Sequence, residues 1–200
     1  MASVTFQGNT VSTTGELPKV GEKAPEFTLV KADLSEVSLS SLAGKNVVLN
    51  IFPSIATGTC ATSVRKFNEK AADLDNTIVI CVSADLPFAA GRFCGAEGIE
   101  NVETLSDLAN GSFGKDYGLE IVDGPLKDFS SRAVIVLDEN HKVVDTEQVK
   151  LTKGAMQIEC EPRVFDLMVY FCLHSAEAIS REELITHVWD GRTVSDAAVN

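Results

Sequence analysis

The sequence predicts an α/β domain built on a partly parallel sheet, opened by an N-terminal β-hairpin and followed by a C-terminal helical appendage. Three observations carry this. Two near-continuous apolar runs, Asn46–Phe52 and Thr77–Ser83, flank a stretch of helical periodicity, Thr59–Leu74, which is the pattern of a βαβ unit with parallel strands. Two later strand-like runs, Arg132–Leu137 and Lys142–Val149, meet across the turn-prone Asp138-Glu139-Asn140-His141 and read as an antiparallel hairpin. After Lys150 the texture changes to two amphipathic helical patterns, Glu161–Leu173 and Ser180–Trp189, separated by His174-Ser-Ala-Glu.

Taken in order, residues 3–12 form two short strands about a Gly8-Asn9 turn, and Glu26–Lys31 is a strand after the breaker Pro25. The βαβ unit follows, its first strand stopped by Pro53. Pro87–Gly98 is helical, Val102–Leu105 short and extended, and Ser112–Tyr117 a helical turn before the hairpin. βαβ followed by an antiparallel hairpin is the order of a thioredoxin-type domain. The division is therefore residues 1–150 as that domain and 151–200 as a helical segment, with the boundary near 150–155.

Composition narrows the function. Apolar residues at 44% and charged residues at 23% fit a folded globule rather than a disordered or fibrous chain. A net charge of −12 argues against general binding to phosphate backbones or anionic lipid, which require clustered Lys and Arg. The start lacks a basic then apolar leader and no apolar run is long enough to span a bilayer, so a cytoplasmic location is expected. Five cysteines, Cys60, Cys81, Cys94, Cys160 and Cys172, are sparse and odd in number, a poor structural staple and a better fit to a transient, catalytic disulfide in a reducing compartment. His141, His174 and His187 are far apart and no Cys-x-x-Cys occurs, so neither metal nor other cofactor is expected.

The chemistry concentrates at Phe52-Pro53-Ser-Ile-Ala-Thr57-Gly-Thr-Cys60, where an apolar strand stops and a helix begins. A thiol in the first helical turn feels the positive end of the macrodipole and unpaired backbone N–H groups, and both favour the nucleophilic thiolate. Thr57, three residues ahead, is placed as N-cap, its hydroxyl facing the Cys60 N–H and lying beside the sulfur. Thiolate attack on an O–O bond drives charge onto the departing oxygen, so a fixed cation nearby should help, and Arg132 at a strand start is the candidate. Against this stands the plainer alternative that Cys60 is a small buried hydrophobe at a helix start.

Pro-x-x-x-Thr-x-x-Cys decides between them, because it resembles the active-site motif of the peroxiredoxin family. The longer stretches Asn50-Ile-Phe-Pro-Ser-Ile and Ser63-Val-Arg-Lys-Phe-Asn68 resemble the bacterial thiol peroxidases, and the likeness continues through Ser83-Ala-Asp-Leu-Pro-Phe88, Arg92-Phe-Cys-Gly-Ala-Glu-Gly98, Asp123-Gly-Pro-Leu126 and Arg132-Ala-Val, across nearly all of residues 1–150. The resemblance implies a thioredoxin-like peroxiredoxin fold and an atypical two-cysteine peroxidase acting on hydrogen peroxide and organic hydroperoxides. It implies that Pro53 shields the pocket, Thr57 binds substrate, Cys60 is peroxidatic, Arg132 steadies thiolate and peroxide, and Cys94 resolves the Cys60 sulfenic acid as an intramolecular disulfide. Thioredoxin as reductant and a homodimer come with the resemblance. Cys81, within Ile78-Val-Ile-Cys-Val82, is expected to be an inert core thiol. The motif departs from the family at Ala56 and Thr59, where an acidic and an apolar residue are usual; loss of an acid at a helix start costs ~0.3–1 kcal/mol and removes a like charge from the thiolate.

Residues 155–200 resemble the helical part of a winged helix-turn-helix regulator, stopping within what would be the recognition helix. Helix capping by Pro162, Ser180 and Glu183 explains much of the pattern without DNA. With four Lys/Arg against eight Asp/Glu over 151–200, DNA binding is not expected, and Phe165, Leu167, Met168, Phe171, Leu184, Val188 and Trp189 are expected to pack together or onto the sheet. The competing readings are a peroxide-sensing DNA-binding regulator and an inactive chimera.

Overall fold

A computed structural model of the chain describes residues 2–6, 9–72 and 74–148. The expected helices Glu161–Leu173 and Ser180–Trp189, and the boundary near 150–155, lie outside the described residues.

The amino end forms a hairpin, β1 (Ser3–Phe6) against β2 (Asn9–Ser12), separate from the main sheet. Next come β3 (Thr28–Val30) and β4 (Glu36–Ser38), then a 3-10 turn at Leu39–Leu42. The βαβ unit is β5 (Asn46–Ile51), α1 (Gly58–Ala71) and β6 (Thr77–Ser83), followed by α2 (Pro87–Glu97), β7 (Glu103–Ser106), the single turn α3 (Phe113–Asp116), β8 (Ala133–Leu137) and β9 (Val143–Gln148). Seven strands make one sheet in the order β4-β3-β7-β6-β5-β8-β9. β5, β6 and β7 are parallel neighbours and the other pairs antiparallel, as the run-helix-run pattern and the later hairpin predicted.

Two elements escaped the sequence reading. β4 and the 3-10 turn fall in Glu36-Val-Ser-Leu-Ser-Ser-Leu42, whose serines read as loop; β4 has three residues with Val37 alone buried, and Ser38 caps the turn by accepting from Ser41 N.

All six residues of β5 are buried because both faces of the sheet are covered. Val47, Leu49 and Ile51 face one way, into a core with Ile80, Val82, Ile135 and the packed rings of Phe27, Phe113 and Tyr117. Val48 faces the other, with Val79, Cys81 and Val134, under Cys60, Val64 and Phe67 of α1. The hairpin joins the rest through Val4, Val11 and Ile121, and through Thr14 N–H to Glu120 O and Val122 N–H to Ser12 O. The same 119–121 segment accepts Ser131 N–H at Leu119 O and pairs Glu120 with Ser130, so the hairpin buttresses the stretch that delivers Arg132 to β8.

Candidate active site

The site forms where β5 ends. Phe52 N–H still bonds Val82 O, extending the ladder by one residue; Pro53 has no N–H to continue it and lies buried at the bend. The chain then turns through Ser54–Thr57 into α1. Asp85, just beyond β6, organises this turn: one carboxylate oxygen accepts from Ser54 Oγ (2.7 Å), the other from Ile55 N–H (2.6 Å) and Ser83 Oγ (2.8 Å). Ile55 is buried beside Cys60, pinning the loop from within.

Thr57 is the N-cap of α1, its Oγ1 accepting from Cys60 N–H at 3.3 Å and donating to Ser54 O at 3.2 Å. Cys60 sits in the first turn with 2% of its surface exposed, and no acidic side chain shares that turn. Arg132 immediately precedes β8, whose register sets Ala133 opposite Ile51; that brings the arginine beside the end of β5. Its Nη2 donates to Cys60 Sγ at 2.9 Å. The guanidinium is itself buried, and its Nε has no hydrogen-bond partner among the described residues. A desolvated cation against sulfur in a low-dielectric site stabilises negative charge on that sulfur far more than an exposed one would.

Cys94 lies on α2, half-buried, its Sγ 3.5 Å from Thr104 Oγ1 on β7. Strand register ranks Thr104, Cys81, Asn50 and Val134 in one row across β7, β6, β5 and β8. Ser63 of α1 stands over Asn50, donating to Oδ1 at 3.1 Å, while Cys94 stands over Thr104, so the two helices ride two strand spacings, ~10 Å, apart. Arg65 of α1 bridges to Glu97 of α2 and covers the Phe93 ring, tying the two helices together. Cys60 and Cys94 thus stand over one face of the sheet on neighbouring helices, unbonded. Cys60, Cys81 and Cys94 are all free thiols.

Cys81 lies in that row between Thr104 and Asn50. Burial pushes its thiol up to about 12, against the hydrogen bond from Asn50 Nδ2 (3.4 Å) and with nearby Cys94 adding to the rise. It is a neutral core group at ordinary pH. Among the described residues no cluster of three or more His, Cys, Asp or Glu could hold a metal, and no helix is long and apolar enough to cross a membrane.

Of the five residues singled out from sequence, Thr57 and Arg132 contact Cys60, Pro53 is buried at the bend before α1, and Cys94 stands on the neighbouring helix. Ser54, Asp85 and Thr104 were given no role from sequence; Asp85 entered only within the family-like stretch Ser83–Phe88. Asp85 follows Ser83 at the end of an apolar strand, where an acid signals only a turn; its partners are 30 and 31 residues away.

Residues 19–159 match the family described as Redoxin, and the thiol peroxidase of Corynebacterium glutamicum is 56% identical over 149 residues, covering 74% of this chain and 90% of that protein. The chain belongs to the thiol peroxidases of the redoxin family. It is a thiol-dependent peroxidase with the thioredoxin-like peroxiredoxin fold. Among solved structures it is similar to a peroxiredoxin-like protein from Aquifex aeolicus, with 36% identity and a TM-score of 0.72 over 76% of this chain and 88% of that one. Thiol peroxidase from Chromobacterium violaceum has the same fold, with a TM-score of 0.68 at 21% identity, over 82% of this chain and 94% of that one. Residues 155–200 match a second family, described as the C-terminal part of transcriptional regulatory proteins.

Proposed function

We propose that Cys60 is the peroxidatic nucleophile of this thiol peroxidase and Cys94 its resolving partner. The observation that carries the first assignment is the 2.9 Å contact from Arg132 Nη2 to Cys60 Sγ at a helix start capped by Thr57. The Cys60 thiolate attacks one peroxide oxygen, forming an S–O bond as the O–O bond breaks. The departing oxygen takes a proton and leaves as water, or as an alcohol from an organic hydroperoxide. Thr57 Oγ1 has a lone pair left to accept from the peroxide O–H, while Arg132 steadies the charge passing from sulfur to the leaving oxygen. Pro53, buried at the bend where β5 stops, shields the pocket. The Cys60 sulfenic acid then condenses with the Cys94 thiol: the S–O bond breaks, the S–S bond forms, and hydroxide leaves with the thiol proton as water.

An external dithiol, thioredoxin in our reading, returns both thiols in a reducing cytoplasm. Leu86, Phe88 and Leu108 are exposed apolar residues, Leu86 and Leu108 flanking the bond from Ser106 Oγ to Asp85 O, and they support a homodimer. We read residues 1–150 as the peroxidase domain and 151–200 as a helical segment whose eight acidic residues against four basic ones oppose DNA binding.

The test is mass analysis after one equivalent of hydrogen peroxide. A disulfide between the peptides of Cys60 and Cys94 is expected, with Cys60→Ser inert and Cys94→Ser halted at a Cys60 sulfenic acid; a Cys94→Ser protein that cycles normally with thioredoxin removes Cys94 from the mechanism.

A further inference from the structure

Val47, Val48, Leu49 and Ile51 of β5 are apolar and buried, yet Asn50, 1% exposed, carries an amide into the same layer. A buried amide is costly unless its hydrogen bonds are made. Here Oδ1 accepts from Ser63 Oγ at 3.1 Å and Nδ2 donates to Cys81 Sγ at 3.4 Å. Ser63, buried on α1, departs from the local habit of helical hydroxyls. Its neighbour Thr62 donates one turn back, to Gly58 O at 2.8 Å, the bond such groups commonly make inside a helix; Ser63 donates across to the strand instead.

This bond joins the two halves of the site. On the sheet side, Asn50 pairs with Val134 and Ile51 with Ala133, so β5 fixes the point from which Arg132 projects. On the helix side, Ser63 lies three residues after Cys60, on the buried face that also carries Val64 and Phe67. The apolar contacts beneath that face, Val48, Val79 and Val134 among them, hold α1 to the sheet without regard to direction, and so tolerate small slides and rotations. A hydrogen bond is directional. The contact from Arg132 Nη2 to Cys60 Sγ, buried and 2.9 Å long, leaves little room for such slack.

We propose that Asn50 and Ser63 are positioning residues of the oxidation step: their bond sets the rotation of α1 on the sheet and so aims Cys60 Sγ at the Arg132 guanidinium. The inference rests on the reading of Cys60 above as the nucleophile. The pair acts through Cys60 and not on the peroxide. Cys81, neutral in the core, anchors the other end of the amide and keeps Oδ1 turned towards α1.

The test is single-turnover oxidation by hydrogen peroxide of the full chain carrying Cys94→Ser, with the Cys60 sulfenic acid followed by rapid quench and mass analysis. The parent is compared with Asn50→Leu, Ser63→Ala and the two combined. Each single variant is expected to oxidise about three- to tenfold more slowly, and the double variant no more slowly than the slower single, since the two residues act as one unit. The pH at which the rate is half-maximal should rise in each, because a sulfur set away from its cation ionises less readily, whereas loosened packing alone would leave it in place. Urea unfolding should put the double variant close to the parent, as when both partners of a buried bond give way to apolar groups. Should Asn50→Leu fail to fold, Ser63→Ala, which removes a single oxygen, carries the rate and pH comparisons. Oxidation of Ser63→Ala within about twofold of the parent, or slow oxidation with an unmoved pH midpoint, overturns the proposal. A parent that oxidises at Cys60 beside variants that match it sinks the positioning role alone, whereas a parent whose Cys60 stays reduced as peroxide is consumed removes the Cys60 reading as well.

Discussion

Replacing Arg132 with methionine separates what this residue does for chemistry from what it does for the fold. Methionine keeps most of the side-chain volume and removes the charge. At 2.9 Å and an effective dielectric near 20, a unit charge pair is worth about 6 kcal/mol, but that gross attraction is offset by the cost of holding the guanidinium away from water. The net value of a hydrogen bond to a charged group is ~1.5–3 kcal/mol, which converts to a fall of roughly 10- to 150-fold in the rate constant for Cys60 oxidation. Stability should behave differently. Arg132 is 5% exposed with its Nε unpartnered, a poorly satisfied buried cation, and replacing such a group with an apolar one is commonly neutral or favourable. The assay is single-turnover oxidation by hydrogen peroxide in a Cys94→Ser background, which isolates the first step, beside urea unfolding of the same protein. Arg132→Met should be slower by one to two orders of magnitude and no less stable. An oxidation rate within twofold of the parent would refute the assignment, and a large loss of stability would mean the arginine is structural.

Thr57→Val removes the cap of α1 and should lower stability by about 1 kcal/mol in urea unfolding while also raising KM for peroxide; a change in stability alone would leave Thr57 as a cap and nothing more. Asp85→Asn cannot satisfy all three of the donors that Asp85 holds, so kcat/KM should drop about tenfold as Ser54–Thr57 loosens, with Cys60 still titratable by thiol reagents. Cys81 supplies a pH dependence. Its thiol, at about 12 when folded against an ordinary value of 9.0, keeps a proton that the unfolded chain releases; its contribution to stability is whole below pH 9 and is lost as pH rises towards 12. Cys81→Ser should therefore lose less stability than the natural chain between pH 8 and 11, and an identical alkaline decline in both would rule out Cys81 as its source.

The residues that the sequence disclosed and those it hid differ in the range of their interactions. α1 and its cap were legible because Thr57, Cys60 and the break at Pro53 act within eight positions of chain, and β5 and β6 because burial on both faces makes apolar runs. Arg132 was found through its chemistry: a reaction that moves negative charge needs a cation, and one stood at a strand start. Asp85 and Thr104 stayed hidden because each acquires its role from strand register, which lines up Thr104, Cys81 and Asn50 from three separate strands. β4 was missed for lack of length, with one buried side chain in three residues.

The hairpin at residues 3–12 gives a remote part of the chain leverage over the sulfur. It shares the 119–121 segment with the residues that lead into Arg132, and Gly118, at φ 70°, already lies so close to the Glu16 backbone that no side chain would fit there. A single proteolytic cut after the hairpin, in the stretch from Gly15 to Gly21, would touch no residue of the site, yet it would free the strut behind the guanidinium. The first symptom of such a nick should be a thiol that reacts sluggishly with peroxide in a protein whose sheet is still intact.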